Sequence, residues 1–137
     1  MLIFWGQHKF IGQSPVYIAM VHSPDGKAMY RIIKSYVNQV NKTGGINGKP
    51  LHLLSFDDKN NKAKQIANDI VEQNKAHAVI GHYTSAACLE GGKVYKQAKI
   101  PAISAICTAD NVTKNNEWYF RVLPNNGFQG VFLANYY

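Results

Sequence analysis

The sequence predicts an α/β fold with a doubly wound, mainly parallel sheet, and three observations carry that prediction. Short apolar runs alternate with longer segments of helical periodicity along most of the chain. The apolar runs are too short for helices and rich in branched residues, which is typical of strands buried on both faces. The segments between them are about 10 to 15 residues long, enough for right-handed helical crossovers between parallel strands.

The first predicted helix spans residues 26–42, because apolar side chains recur there at three- and four-residue spacing. Its apolar face comprises Met29, Ile32, Ile33, Tyr36, Val37 and Val40. Gly44 and Gly45 follow the last of these residues, where a helix C-cap belongs. The compact apolar run at residues 51–56 then predicts a short strand.

A second helix is predicted over residues 60–74, with Asn60 or Asn61 as its N-cap. The run at residues 77–81 is too short for a helix and predicts a buried strand.

The third predicted helix covers residues 85–98, although Gly91 and Gly92 weaken it. The remaining elements are strands at residues 100–106 and 117–123 and a helix that begins at residue 126.

Ligands of doubly wound sheets bind outside the carboxyl ends of the strands, where the strand order reverses. Functional residues are therefore expected in three loops, at residues 6–25, 81–87 and 105–116. The first loop has roughly twenty residues and carries apolar residues of its own. Such a length predicts either a functional loop or an element hidden within it.

Composition limits the classes of function. The 137 residues make one domain or part of one, and a hydrophobic content of 46% supports a packed core. The net charge of +7 would suit an anionic partner. The lysines are scattered along the chain, however, which predicts a solvated surface and no nucleic-acid binding. No stretch approaches the roughly 20 apolar residues of a membrane span.

The cysteines and histidines do not predict a metal site or a cofactor. Cys88 and Cys107 lack a C-x-x-C motif, and whether they form a disulfide is left open by the sequence. The five histidines show no metal-ligand spacing. His82 follows a predicted strand at the functional edge of the sheet, so it is expected to line a cleft.

Two adjacent carboxylates, Asp57 and Asp58, follow the strand at residues 51–56. A catalytic or metal site would need further carboxylates or histidines to converge there, and none is identifiable. We therefore expect one aspartate to cap the following helix and the other to face solvent.

The segment GHYTSAAC, residues 81–88, is a strand-to-helix turn in which Thr84 or Ser85 begins the helix. Such a turn either caps the helix or also offers free backbone N–H groups to a carboxylate. It lacks the Gly-x4-Gly-Lys pattern of a phosphate loop and the Gly-x-Ser-x-Gly of a nucleophile elbow. On the same sheet edge, Thr108 and the carbonyls before it could form the second half of a site for a zwitterion.

Four blocks of the chain have a recognisable order and spacing: NQVNKTGGINGKPLHLLSFDDKNN, AVIGHYTSAACL, IPAISAICTADNVT and FRVLPNNGFQG. From about residue 26 onward the sequence resembles the periplasmic binding proteins of the branched-chain amino acid and amide class. The resemblance implies a non-catalytic solute-binding domain that works in the periplasm or otherwise outside the cytoplasmic membrane. Its partners would be a small amino acid or amide ligand and the membrane permease of an ABC importer. In this family the acidic pair is a structural hallmark.

The resemblance also assigns site residues. Ser85 falls where the family presents a hydroxyl to the ligand carboxylate, and Thr108 where carboxylate and ammonium are bound together. Backbone groups of Ile106 and Cys107 fall at the ammonium, although small residues are usual there, which argues against a standard leucine-like pose. The ligand-binding set predicted here is Tyr83, Thr84, Ser85, Ile106, Cys107 and Thr108.

The family has two lobes with the ligand between them, so residues 1–137 are expected to form part of the N-terminal lobe, without the second lobe or a signal sequence. Such a piece is expected to expose apolar surface, to self-associate and to bind ligand weakly. Residues 1–25 match the family poorly. Three alternatives stay open: a ligand-binding sensor module fused to a signalling domain, a flavodoxin-like nucleotide-binding or enzyme domain, and an assembly domain.

Overall fold

The structure is a computed structural model and describes residues 14–58 and 62–136. Within them, strands β1 to β5 lie at Val16–His22, Leu51–Asp57, Ala76–Ile80, Ala102–Ser104 and Tyr119–Arg121. Helices α1 to α4 lie at Lys27–Lys42, Ala63–Glu72, Ser85–Ala98 and Asn126–Ala134. Single 3-10 turns occupy Pro24–Gly26 and Asp110–Val112.

The five strands form one parallel sheet in the order β2-β1-β3-β4-β5. The chain moves outward from β1 to β2, then steps back across β1 to β3. Crossovers between parallel strands are right-handed as a rule, so this reversal of direction puts α1 on one face of the sheet and α2 and α3 on the other. Helix α1 packs on β1 and β2, whereas α2 and α3 pack against each other. The predicted doubly wound class is confirmed, with its switch point between β1 and β3.

Strand β1 corrects the prediction of a loop over residues 6–25. It is the hidden element, and it is the central strand, because it pairs with both β2 and β3. Ala19, Met20 and Val21 are all fully buried, so both faces of the strand are covered. Residues 6–13 of the predicted loop lie outside the described residues.

Strand β4 is shorter than the predicted run at residues 100–106. Its last residue, Ser104, is buried, and its Oγ atom accepts from the backbone N–H groups of Ile106 at 3.2 Å and Cys107 at 3.0 Å. These bonds turn the chain out of the sheet, because a serine side chain that bonds the nearby backbone competes with strand pairing. The strand predicted at residues 117–123 is likewise reduced to the three residues of β5.

The helices agree with the prediction in position and differ in packing. Helix α3 has the predicted bounds. The predicted apolar face of α1 is covered in part. Val37 is buried and Met29, Ile33 and Val40 are half-buried, whereas Ile32 is 70% and Tyr36 65% exposed. The predicted N-caps of α2, Asn60 and Asn61, lie outside the described residues.

The core lies between the sheet and the α2–α3 layer. Its buried residues are Ala19, Val21, Ile66, Ala67, Ile70, Val79, Cys88, Val94, Tyr95, Ala102, Cys107, Val112 and Tyr119. The predicted site residues come directly after β3 and β4, at the edge of this core. None of the helices in the described part of the chain is long and apolar enough to cross a membrane.

Candidate ligand-binding site

In the turn between β3 and α3, one residue caps the helix and the next contacts the loop after β4. The sequence alone did not show which residue has which role. Thr84 caps α3: its backbone is extended, and its Oγ1 atom accepts from the N–H of Ala87 at 3.2 Å. Ser85 instead reaches across to the loop after β4, where its Oγ atom accepts from the N–H of Ala109 at 3.2 Å. The capping prediction is confirmed for Thr84, and the Ser85 hydroxyl links the two predicted ligand loops.

Tyr83 connects the same turn to the segment after β1. A Cβ atom built on Gly26 would lie 3.1 Å from Cδ2 of the half-buried Tyr83 ring. The backbone at residue 26 therefore lies against this ring, and the ends of β1 and β3 meet at the switch point.

The loop after β4 is held by a residue that sequence reasoning missed. Arg121, at the end of β5, donates through Nη1 to three carbonyl oxygens, those of Cys107, Thr108 and Ala109, at 3.0–3.4 Å. Its Nη2 donates to the Asp110 carbonyl and, at 2.7 Å, to Oγ1 of Thr113. A planar guanidinium has five N–H donors in a fixed fork, which suits it to hold an irregular loop. No local signal marked Arg121, because its acceptors lie 8 to 14 residues away in sequence.

A disulfide joins Cys88 on the first turn of α3 to Cys107 in the loop after β4. Both cysteines are fully buried. The pairing that the sequence left open is therefore formed. The Cys107 side chain is committed to this bond, its N–H to Ser104 and its carbonyl to Arg121.

The structure thus brings the six predicted site residues onto two adjacent loops. Thr108 is half-buried, and its carbonyl accepts from the N–H of Asn126 at 2.9 Å as well as from Arg121. The Ile106 side chain is exposed at the rim of the loop. Beside the first turn of α3 lies an open depression of about 230 Å³. Its lining consists of Ala63, Thr84, Ala86, Ala87 and Glu90.

His82 does not line a cleft, which corrects the prediction. It is fully buried under the loops, and its Nε2 atom lies 3.0 Å from the Tyr95 hydroxyl. A methyl group on Gly91 would overlap Nε2 of His82, so glycine in α3 leaves the room that this ring occupies. Burial lowers the pKa of His82 to about 4, against the opposing attraction of Asp58. Burial also raises the pKa of Tyr95.

The backbone of this turn is held from β5. The hydroxyl of the buried Tyr119 donates to the carbonyl of Gly81 and accepts from the N–H of His82 at 3.0 Å. Gly81 has φ of +133°, and a Cβ atom there would meet the Val21 carbonyl, so the turn requires glycine.

The acidic pair has the structural role predicted for one of its members. Oδ1 of Asp58 accepts from the N–H of Lys62 at 2.9 Å, just before α2. Its Oδ2 lies 3.7 Å from Nδ1 of His82. Asp57 is half-buried, so the prediction that it faces solvent is wrong. Within residues 14–58 and 62–136, no three His, Cys, Asp or Glu side chains are grouped to hold a metal ion.

The parallel sheet, its switch point and the loops beside it define a doubly wound α/β lobe of the kind that binds ligands at its strand ends. The chain belongs to the periplasmic binding protein family, whose model matches residues 21–137.

Named relatives agree with this placement. An amino acid binding protein of Pseudomonas aeruginosa is 33% identical over 114 residues, which are 81% of this chain and 30% of that protein. The structure of the branched-chain amino acid transporter substrate binding protein LivJ from Streptococcus pneumoniae, solved with isoleucine, superposes with a TM-score of 0.81 at 27% identity. A leucine complex of an ABC transporter substrate-binding protein from Desulfitobacterium hafniense also gives 0.81, at 26% identity. In both comparisons the match covers 90% of this chain and 38% of the other, so the chain spans well under half of these relatives.

Proposed function

We propose that this chain is a ligand-binding lobe of an extracytoplasmic solute-binding protein, which delivers a small amino-acid-like ligand to the permease of an ABC importer. The observation that carries the proposal is the bond from the Ala109 N–H to Ser85 Oγ. This bond joins Ser85 to the loop that carries Thr108, beside the carboxyl ends of β3 and β4. The family and the names of its relatives support the choice of ligand class.

Ser85, Thr108 and the first N–H groups of α3 would receive the carboxylate of such a ligand, because a helix N-terminus favours negative charge. The ammonium would lie on the Ile106 carbonyl and on the Cys107 carbonyl. The latter already accepts from Arg121, but a carbonyl oxygen has two lone pairs. Tyr83 and Thr84 would form the wall of the site beside Ser85.

We propose further that the chain is one part of a two-lobe domain. A ligand on these loops would be contacted from one side, whereas ordinary ligand sites bury roughly 70–90% or more of the ligand's surface. The opposite wall would come from a second lobe, since this chain spans 38% of the LivJ structure. Alone, the chain would bind weakly.

The groups best suited to acid–base chemistry are engaged by the fold, which supports a non-catalytic role. Asp58 bonds the start of α2, and His82 is fully buried with a pKa lowered to about 4. Neither group can reach a substrate on the loops without opening the core.

A panel of amino acids and nucleotides, added to the full-length protein during thermal denaturation, tests the proposal. A ligand that binds the folded state raises its stability by RT ln(1 + [L]/Kd), which is about 2.7 kcal/mol at 100 times Kd. We expect amino acids to raise the midpoint and nucleotides to leave it unchanged. If nucleotides alone raise it, the solute-binding proposal is wrong.

A further inference from the structure

The disulfide is placed where it can control the geometry of the candidate site. Cys88 lies one helical turn after Ser85, and Cys107 directly precedes Thr108. The bond therefore links the two loops at positions adjacent to both hydroxyl residues. The carbonyl oxygen of His82 lies 3.5 Å from both sulfur atoms, so the disulfide packs against the buried turn after β3.

Besides the disulfide, a single hydrogen bond, from Ala109 to Ser85, is seen to cross between the first turn of α3 and the loop after β4 in the described residues. Two further bonds join α3 to the far end of that loop, at Asn115 and Asn116, away from the predicted site residues. One such bond contributes modestly, because water competes for both partners. The Arg121 contacts fix the shape of the loop after β4 from the side of β5, and do not tie it to α3.

We propose that Cys88 and Cys107 are positioning residues of the ligand site, and that their disulfide holds the two ligand loops at the spacing that binding needs. This inference rests on the proposed function and names the device that positions its site. Neither sulfur touches the ligand; they act through Ser85 and Thr108.

The proposal makes ligand affinity depend on redox conditions. A dithiol reductant such as dithiothreitol attacks one sulfur as a thiolate, and exchange then breaks the S–S bond. The reductant gives up two electrons and two protons and becomes its cyclic disulfide, while Cys88 and Cys107 become thiols. Both sulfurs are buried, so attack requires the loops to open first. A bond of this kind suits an oxidising compartment, which agrees with an extracytoplasmic site of action.

A ligand held by both loops would oppose that opening. If the open form does not bind, the ligand lowers the open population by the factor 1 + [L]/Kd. At 100 times Kd, reduction should therefore slow by about 100-fold. If the disulfide only stabilised the fold and lay away from the ligand, the ligand would not slow its reduction in this way.

The test uses the full-length protein in oxidised form, in dithiothreitol-reduced form with thiols counted by alkylation and mass, and as Cys88→Ala/Cys107→Ala. L-isoleucine and L-leucine are the probes, because related structures contain them. Affinity is measured by calorimetry, folding by circular dichroism, and loop opening by hydrogen exchange of the Ala109 N–H. The sheet N–H of Val79, which bonds the Pro101 carbonyl, is the exchange control.

We expect reduction to weaken binding by tenfold or more and to leave the protein folded. Exchange should speed up by a larger factor at Ala109 than at Val79, whose exchange reports the loss of global stability. The double variant should bind like the reduced protein and be insensitive to dithiothreitol. Equal affinity in the oxidised and fully reduced forms, unchanged exchange at Ala109, or loss of the fold on reduction would each overturn the proposal. If exchange responds to reduction but the oxidised protein binds neither amino acid, the loop link stands and the proposed ligand class fails.

Discussion

Nδ1 of the buried His82 ring lies 3.7 Å from a carboxylate oxygen of Asp58, directly beneath the candidate ligand loops. The same carboxylate bonds the backbone at the start of α2 through its other oxygen. Asp58 thus connects the end of β2, the start of α2 and the turn after β3. This arrangement is structural, and it gives the fold a defined sensitivity to acid.

Acid should destabilise the protein through His82. Its pKa is about 4 in the folded state and 6.5 in the unfolded state, so between these values the unfolded chain takes up a proton that the folded chain does not. Stability should fall as pH drops from 6.5 to 4, by about 3 kcal/mol in total, and His82 should add no further loss below pH 4. Urea denaturation of His82→Gln should show a flatter pH dependence over this range. The exposed His52→Gln is the matched control, and equal slopes for wild type and His82→Gln would contradict the assignment.

Two glycine-to-alanine substitutions in helices should have opposite effects. In α3, the new methyl group of Gly91→Ala meets the buried His82 ring, and overpacking of this kind costs roughly 1–3 kcal/mol. In α4, Gly130 has open space around its Cα, so Gly130→Ala should stabilise the helix by up to about 1 kcal/mol. The denaturation midpoints of both variants, compared with that of the wild-type protein, test these expectations. A Gly91→Ala protein as stable as wild type would show that the His82 ring can move aside.

The disulfide should contribute to global stability as well as to loop position. It closes a loop with a sequence separation of 19, for which chain entropy predicts about 3 kcal/mol. The Cys88→Ala/Cys107→Ala variant should therefore unfold at lower denaturant concentration than the oxidised protein. If the two midpoints coincide, the entropic contribution of the bond is negligible in this fold.

The 137-residue chain should self-associate through α4. All of the side chains described for this helix are exposed, and none is charged. The rings of Phe128 and Phe132 stack, with their centroids 6.5 Å apart. An uncovered apolar surface of this kind favours a second copy of the chain. Sedimentation should show concentration-dependent dimers or larger species that Phe132→Gln disperses. The matched change on α1, Ile32→Gln, should leave association unchanged; the reverse pattern would place the contact on α1.

Local signals in the sequence predicted the fold class and several elements correctly. Helix α3, its cap at Thr84 and the structural role of Asp58 each depend on a few neighbouring residues. Strand β1 was allowed for only as a hidden element of a long loop, because its apolar residues lie within a segment that matches no helical or family pattern. The exposure of Ile32 and Tyr36 on the apolar side of α1 could not be predicted, because periodicity shows that a helix has such a side and not how much of it another element covers.

The candidate site depended on contacts that periodicity cannot show. The bond between Cys88 and Cys107 forms because β3 and β4 are neighbours in the sheet, which brings the start of α3 beside the loop after β4. The role of Arg121 appears only when the loop after β4 folds back over β5. His82 is buried because a glycine two turns along α3 leaves room for its ring. Each of these relationships joins residues that are distant in sequence.

Calorimetric titration of the full-length protein with L-isoleucine and L-leucine tests the central claim most directly, with Thr108→Val as the site variant and the exposed Thr43→Val as its control. We expect saturable binding of at least one amino acid to the wild-type protein. Loss of the Thr108 hydroxyl should weaken binding by about tenfold or more, as for a hydrogen bond to a charged group. Thr43→Val should bind like wild type. If neither amino acid binds, or if both variants bind as tightly as wild type, these loops are not an amino-acid site.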